Sequence, residues 1–122
     1  MPHGGVRSGE WSERWGREAA RQLLADEGDP DAIFCGSDQI ARGVADTVRA
    51  AGRRIPEDVA LVGFDNWEPM APGAQPPLTS VDMCLEEVGW VAAELLLAAI
   101  GGEPAYGVRT VPCRLMVRES SL

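Results

Sequence analysis

A chain of 122 residues has room for one domain, and at this length roughly two-thirds of the unfolded surface is buried on folding, enough for a modest core. The composition, 45% hydrophobic and 25% charged, is that of a globular protein and excludes wholesale disorder. Eleven basic against 19 acidic residues leave a net charge of -8. This charge argues against nucleic-acid binding by this segment itself, because such binding needs a basic surface.

The N-terminal part of the chain predicts a tail followed by a helix. We expect residues 1–10 to be frayed and a helix to cover residues 11–27. Ser12 is placed to cap the start of this helix, and the breaker sequence at 28–30 ends it. Apolar side chains recur at every fourth position and give the helix one buried face: Trp15, Ala19 and Leu23, with Ala20 and Leu24 beside them.

A strand–helix–strand unit follows. Residues 32–35 and 59–64 are short apolar runs, typical of parallel strands that are buried on both faces. The helix between them begins at Ser37 or Asp38 and continues to about residue 51. A unit of this kind pairs its strands in parallel through a right-handed crossover.

The rest of the chain predicts a long loop, a strand, a helix and a last strand, at 66–77, 78–83, 85–100 and 110–117. The loop is rich in Pro and Gly and is long enough to suggest a role beyond connection. The helix is apolar nearly all round, which is normal for a helix buried on several sides. A chain this small has little with which to cover it.

The cysteines and the single histidine predict no metal site and no disulfide framework. Cys35, Cys84 and Cys113 are far apart and odd in number, and His3 lies in the expected tail. We interpret the thiols as reduced and mostly buried. No nucleophile elbow is present and Ser37 has no histidine partner, so we expect no catalytic residues, no cofactor and no enzymatic activity.

Targeting signals are also missing from the sequence. Residues 1–16 have no apolar core of the kind that a signal peptide carries. The longest apolar run, 91–100, is interrupted by Glu94 and is far too short to cross a bilayer. We therefore expect a cytoplasmic protein with no membrane partner.

Six segments, taken in order, carry a resemblance to a known family: GEWSERWGREAARQLL, DAIFCGSDQIARGV, AAGRRIPEDVALVGFDN, PPLTSVD, EEVGWVAAELLLAAIGG and VPCRLMVRESS. Together they resemble the C-terminal part of the effector-binding domain of LacI/GalR-type transcriptional regulators. The resemblance covers nearly everything after Ser8. It implies an α/β fold, a partial periplasmic-binding-protein-like domain of type I with a parallel sheet flanked by helices.

The sequence departs from the family pattern at its start. Family members begin with a helix-turn-helix domain and a hinge helix, and neither is present here; most of the N-terminal effector subdomain is also missing. Residues 11–122 would then be the C-terminal part of the effector domain. Residues 85–111 would pack on the absent N-terminal subdomain, and DNA would be bound only through the absent head.

Candidate ligand-binding residues follow the predicted strands. Ser37 and Asp38 come after the first strand, and Asp65 and Asn66 come after the second. Ligands bind at the carboxyl ends of strands in open parallel sheets. A carboxylate such as that of Asp65 accepts strong hydrogen bonds from sugar hydroxyls, and the resemblance assigns it this role. The alternative is an aspartate that only forms a turn.

The resemblance adds weaker candidates, each with an alternative. Ser37 either contacts the ligand or, like Asp38, only caps the helix. Trp11 either packs its indole on the apolar face of a sugar or packs on the core. Leu85 lines the cleft and gives it shape, and Trp67 either covers the cleft or, as we favour, packs on the sheet.

A homodimer contact is implied at Arg42, Asp46 and Met70, in the second helix and the 66–77 loop. The alternative for the two charged residues is a solvated helix face.

The function predicted from these residues is effector binding in a DNA-binding transcriptional regulator of the LacI/GalR type. A sugar or related metabolite would bind in a cleft between two subdomains and change operator binding. Two alternatives stay open: a fragment of the sugar-binding component of a transporter, which shares the fold, or a truncated product without function.

Overall fold

The computed structural model describes residues 5–26 and 30–122. Seven elements follow one another in the chain: α1 Glu13–Ala25, β1 Ala32–Phe34, α2 Asp38–Ala50, β2 Ala60–Phe64, β3 Thr79–Asp82, α3 Leu85–Ile100 and β4 Arg114–Met116. The strands form one four-stranded sheet in the order β1-β2-β3-β4. The α/β class predicted from the sequence is confirmed.

The helix starts are set by local chemistry that the sequence makes visible. Ser12 caps α1, its Oγ accepting the N–H of Trp15 at 3.1 Å, and Ser37 caps α2 in the same way. Residues 5–10 have no regular secondary structure and are exposed. Helix α1 ends at Ala25 with Asp26 as its C-cap, so it is shorter than the predicted 11–27; residues 27–29, where the predicted end and most of the breaker fall, lie outside the described residues.

The core lies between α2 and the sheet. The α2 side chains Ala41 and Val48 are fully buried, and Leu61 of β2 is 1% exposed beneath them. Helix α1 packs on α2 rather than on the strands, and the two backbones meet at glycines. A Cβ on Gly43 would collide with the carbonyl oxygen of Glu13, so the close crossing requires a residue without a side chain there.

Strand β1 is not buried on both faces, which corrects the sequence prediction. Phe34 is 65% exposed, although its neighbour Cys35 belongs to the core. Successive side chains of a strand point to opposite faces, so Phe34 faces away from α2. Within the described residues β1 is also an edge strand, and α3 does not cover its outer face.

The sheet is parallel over its first three strands and mixed at its end. Strand β1 pairs in parallel with β2, and β2 in parallel with β3, but β4 runs antiparallel to β3. Strand β4 is also shorter than the predicted 110–117. The chain then returns to the core: Ser120 is 1% exposed, donates to the carbonyl of Leu61 at 2.6 Å and accepts from the N–H of Thr79 at 2.8 Å.

Helix α3 has the predicted bounds, and its apolar surface is mostly uncovered. None of its residues is buried, and Leu97 and Ile100 are 68% and 74% exposed. Most of its apolar side chains are therefore left uncovered by the described elements, and only Val91, Leu95 and Ala98 are partly covered. No helix within the described ranges is both long and apolar enough to cross a bilayer.

Candidate functional site

Three strand ends meet at one edge of the sheet. Because β1, β2 and β3 are parallel, the residues that follow them lie side by side. Ser37 follows β1, Asp65 and Asn66 follow β2, and Asp82 closes β3. The polar residues that the sequence places after the strands therefore lie along one edge of the sheet, and their binding role stays a prediction.

Asp38 lies beneath this edge and holds it together. Its side chain is fully buried, with Oδ1 accepting from Ser80 Oγ at 2.5 Å and Oδ2 accepting from the main-chain N–H of Trp67 at 2.8 Å. A Cβ on Gly63 would collide with Oδ1, so that glycine makes room for the carboxylate against β2. In this structure Asp38 has no surface with which to contact a ligand, and it acts on the residues around it.

Asp65 lies above Asp38, partly exposed, in an uncommon backbone conformation. Its φ is 108°, in the left-handed region that few non-glycine residues adopt and that is often found at functional sites. Its N–H donates to the carbonyl of Val81 at 2.9 Å, which ties it to β3.

The electrostatics of Asp65 follow from this position. Burial raises the pKa of the Asp65 carboxyl above its ordinary value, the negative charge of Asp38 raises it further, and the main-chain N–H of Asp38 partly offsets the increase. The carboxylate is set in a partly desolvated place at a strand end, where it can accept hydrogen bonds from ligand hydroxyl groups.

Asn66 is fixed from three sides by residues that the sequence analysis did not single out. Its N–H donates to Ser80 Oγ at 3.0 Å, its Nδ2 donates to Asp82 Oδ2 at 3.2 Å, and its Oδ1 accepts from the Arg118 guanidinium at 2.7 Å. Arg118 also donates to the carbonyl of Leu78 at 2.7 Å. These partners are 14, 16 and 52 positions from Asn66. The only sequence signal for them was their position in two of the segments that carry the family resemblance: Ser80 and Asp82 in PPLTSVD, and Arg118 in the closing VRESS.

Ser37 and Trp11 lie together at the end of β1. Ser37 is 7% exposed, and its Oγ accepts from the N–H of Ile40 at 3.1 Å, so it serves as the α2 cap. The indole of Trp11 covers the turn before it: two ring carbons lie 3.1 Å from where a Cβ on Gly36 would be. Trp11 is 69% exposed, so most of its ring is available at this edge.

The other two apolar candidates are also exposed. Leu85 opens α3 three residues after the end of β3, with its side chain mostly exposed. Trp67 is 56% exposed, so the expectation that it packs on the sheet is wrong. Its main-chain N–H is anchored by Asp38. Trp11, Trp67 and Leu85 are thus all exposed apolar side chains in segments next to the strand ends.

The residues of the implied dimer contact lie elsewhere, on the outer side of α2. Arg42 donates to Met70 Sδ at 3.4 Å, which joins α2 to the 66–77 loop. Asp46 pairs with Arg17 of α1 at 2.8 Å. A cavity of about 200 Å³ opens beside them, between α2 and residues 73–76. The structure thus brings Arg42, Asp46 and Met70 to one face, and the dimer contact stays a prediction.

The described residues hold no cluster of His, Cys, Asp and Glu side chains suited to a metal ion. The three cysteines are free, as expected, but only Cys35 is buried; Cys84 is partly exposed and Cys113 is exposed. Burial raises the pKa of the Cys35 thiol to about 12, with a further contribution from Asp38, which keeps it protonated and inert.

Comparisons with known proteins agree with this geometry. A family model described as a periplasmic binding protein-like domain matches residues 2–121. The HTH-type transcriptional regulator CelR of Thermobifida fusca is 43% identical over 116 residues, which are 94% of this chain and 34% of that protein.

Solved structures extend the similarity to the fold. A transcriptional regulator CelR–cellobiose complex has a TM-score of 0.81 at 43% identity, over 93% of this chain and 35% of the other. A LacI family transcriptional regulator from Arthrobacter sp. FB24, in complex with lactose, has a TM-score of 0.83 at 34% identity, over 93% and 43%. The relatives that match are transcriptional regulators and not enzymes, and the chain spans 34% of the length of the first of them.

Proposed function

This chain belongs to the periplasmic binding protein-like family, among the LacI/GalR-type transcriptional regulators, and from that premise we propose that its strand ends form one wall of an effector cleft. The effector is a sugar or a related polyol. Asp65 accepts hydrogen bonds from its hydroxyl groups, Ser37 lies beside it, and Trp11 and Leu85 supply apolar area.

One observation carries the proposal: a partly buried carboxylate, Asp65, is presented at the end of β2, the same edge of the sheet at which Trp11 covers the turn after β1 with most of its ring exposed. An aromatic ring next to fixed hydrogen-bond acceptors is the arrangement that sugars require, because each ring of a sugar has polar edges and an apolar face. The cellobiose and lactose complexes of the similar regulators support the same chemistry.

The opposite wall of the cleft comes from an N-terminal subdomain, on which residues 85–111 also pack. This accounts for a helix α3 that is apolar all round and buried nowhere. Burying such a helix removes a large apolar surface from water, and each Å² buried stabilises the assembly by roughly 25 cal/mol.

In the whole regulator the effector favours one closure of the two subdomains. That closure is passed through a homodimer, in which Arg42, Asp46 and Met70 make contacts, to DNA-binding heads in the cytoplasm. Ligand binding shifts this equilibrium only by its difference in affinity for the two states.

The test is a chimera in which this chain replaces the matching third of Thermobifida fusca CelR. Calorimetry with cellobiose and with lactose should detect binding of one of the two. Asp65→Asn should weaken it about tenfold or more, since a hydrogen bond to a charged group is lost. Asp58→Asn is the matched control, because Asp58 accepts from a main-chain N–H and a guanidinium away from the strand ends. A folded chimera that binds operator DNA but neither sugar would contradict the proposal.

A further inference from the structure

The geometry points to Asp38 as the positioning residue of the effector site: it holds the Asp65–Trp67 turn by accepting the N–H of Trp67 and, through Ser80, by fixing Asn66, and it does so without touching the ligand. This inference rests on the proposed function only for what Asp65 binds.

The first step is the pair of acceptor contacts made by Asp38. Oδ2 receives the N–H of Trp67, the residue two positions after Asp65. Oδ1 receives the hydroxyl of Ser80, and the same hydroxyl receives the N–H of Asn66. Two consecutive peptide groups after Asp65 are therefore anchored to one buried carboxylate, one directly and one through Ser80.

The second step is the backbone that these bonds hold. Asp65 and Asn66 have φ values of 108° and 51°, and a left-handed conformation at a non-glycine residue persists only where the surroundings impose it. The Asp65 N–H is held separately by Val81. The anchors on both sides of Asp65 set the direction in which its carboxylate points.

The third step is the space reserved for Asp38. Its side chain is fully buried, and Gly63, two residues before Asp65, is the position where any Cβ would collide with it. The absence of a side chain at this position of β2 leaves the space that the Asp38 carboxylate occupies. A helix cap alone would not require that, and the cap of α2 is supplied by Ser37.

The test measures the turn directly, on the full 122-residue chain, by nuclear magnetic resonance. In Asp38→Asn the amide group has no second acceptor oxygen for the Trp67 N–H. The exchange rate of that N–H should rise about tenfold or more relative to the core amides of β2. The charged groups around the turn are Asp38 from α2, Asp82 from β3 and Arg118 from the C-terminal segment. Because Asp38 raises the pKa of Asp65, the Asp65 carboxyl should also titrate at lower pH in Asp38→Asn.

A second variant keeps the inference decidable if Asp38→Asn does not fold. Ser80→Ala removes the bridge to Asn66 and leaves the charge of Asp38 in place. We expect faster exchange at the Asn66 N–H, with the Asp65 titration unchanged. Asp58→Asn, the matched control, should alter neither measurement.

The outcomes separate this inference from the proposed function. A general loss of stability would speed exchange equally at the Trp67 N–H and at the β2 core amides, and it would leave the pH at which the Asp65 carboxyl titrates unchanged. That result would overturn the positioning role of Asp38. In the CelR chimera, Asp38→Asn should weaken sugar binding about tenfold. The binding that remains should persist to lower pH than in the unsubstituted chimera. If the unsubstituted chimera binds no sugar, the proposed function fails while the resonance measurements still decide the role of Asp38.

Discussion

Helices α2 and α3 differ in how the apolarity of their sequences relates to their burial: the less apolar helix is the buried one. The α2 helix carries charged residues on one side, yet Ala41, Val44 and Val48 of its other side are at most 2% exposed. The α3 helix is the more apolar of the two, and none of its residues is buried. The amphipathic stripe of α2 matches the side on which it is buried, whereas the all-round apolarity of α3, normal for a buried helix, meets no comparable cover in the described residues.

The largest expected contrast comes from the same substitution made in the two regions. Leu61→Ala, in the core beneath α2, should lower the free energy of unfolding by about 3 kcal/mol, because it opens a cavity in packed surroundings. Leu97→Ala in α3 should change it by less than about 0.5 kcal/mol, because the side chain is 68% exposed. Urea denaturation measures both, and equal losses would mean that α3 is packed within the chain.

Glycine-to-alanine substitutions should differ in sign. Gly43→Ala places a Cβ against the carbonyl of Glu13 and should destabilise the α1–α2 crossing by about 2 kcal/mol. Gly89→Ala lies in α3 with nothing near its Cβ and should stabilise the chain by up to about 1 kcal/mol, the helix-propensity difference. Thermal unfolding reports both signs, and a destabilising Gly89→Ala would reveal a hidden contact on α3.

Helix caps give a smaller contrast. Ser12→Ala removes a capping bond to Trp15 and should cost about 1 kcal/mol. Cys84 precedes α3 and makes no side-chain capping bond, so Cys84→Ala should change stability by less than about 0.5 kcal/mol. Chemical denaturation of the two variants is the measurement, and a larger loss in Cys84→Ala than in Ser12→Ala would reverse the expected order.

The smallest effect at neutral pH concerns the thiols. The pKa of Cys35 is about 12 in the folded protein, above the pKa of an unfolded thiol, so the unfolded state loses the proton first as the pH rises. The contribution of the buried thiol to stability is therefore fully present below the unfolded pKa and is lost between the unfolded and the folded pKa. Stability should therefore fall above about pH 8.5 in the wild type. The fall should persist in Cys113→Ser, whose thiol is exposed, and diminish in Cys35→Ala. Unfolding curves at several pH values would show it, and an unchanged fall in Cys35→Ala would exclude this cause.

Local features of the fold were predictable because they depend on neighbouring residues. The bounds of α3 agree with the sequence, and Ser12 caps α1 as expected. The burial of β1 was wrongly predicted because an apolar run does not reveal what covers each face, and Phe34 has no cover in the described residues.

The site was predictable in position but not in its internal bonding. The strand-end rule placed Asp65 and Ser37 at the correct edge. It could not show that Asp38 is buried with both oxygens occupied, or that Arg118 reaches Asn66 from 52 positions away. Those contacts depend on the register of β2 and β3 and on the return of the C-terminal segment, which are properties of the assembled fold.

Calorimetric titration of the isolated 122-residue chain with cellobiose and lactose tests most directly whether it supplies only one wall of the cleft. We predict no binding in the micromolar range by the isolated chain, and binding of one of the two sugars once it is joined to the N-terminal part of CelR. Micromolar affinity of the isolated chain for either sugar would contradict the account, because Asp65 and its neighbours would then form a complete site by themselves.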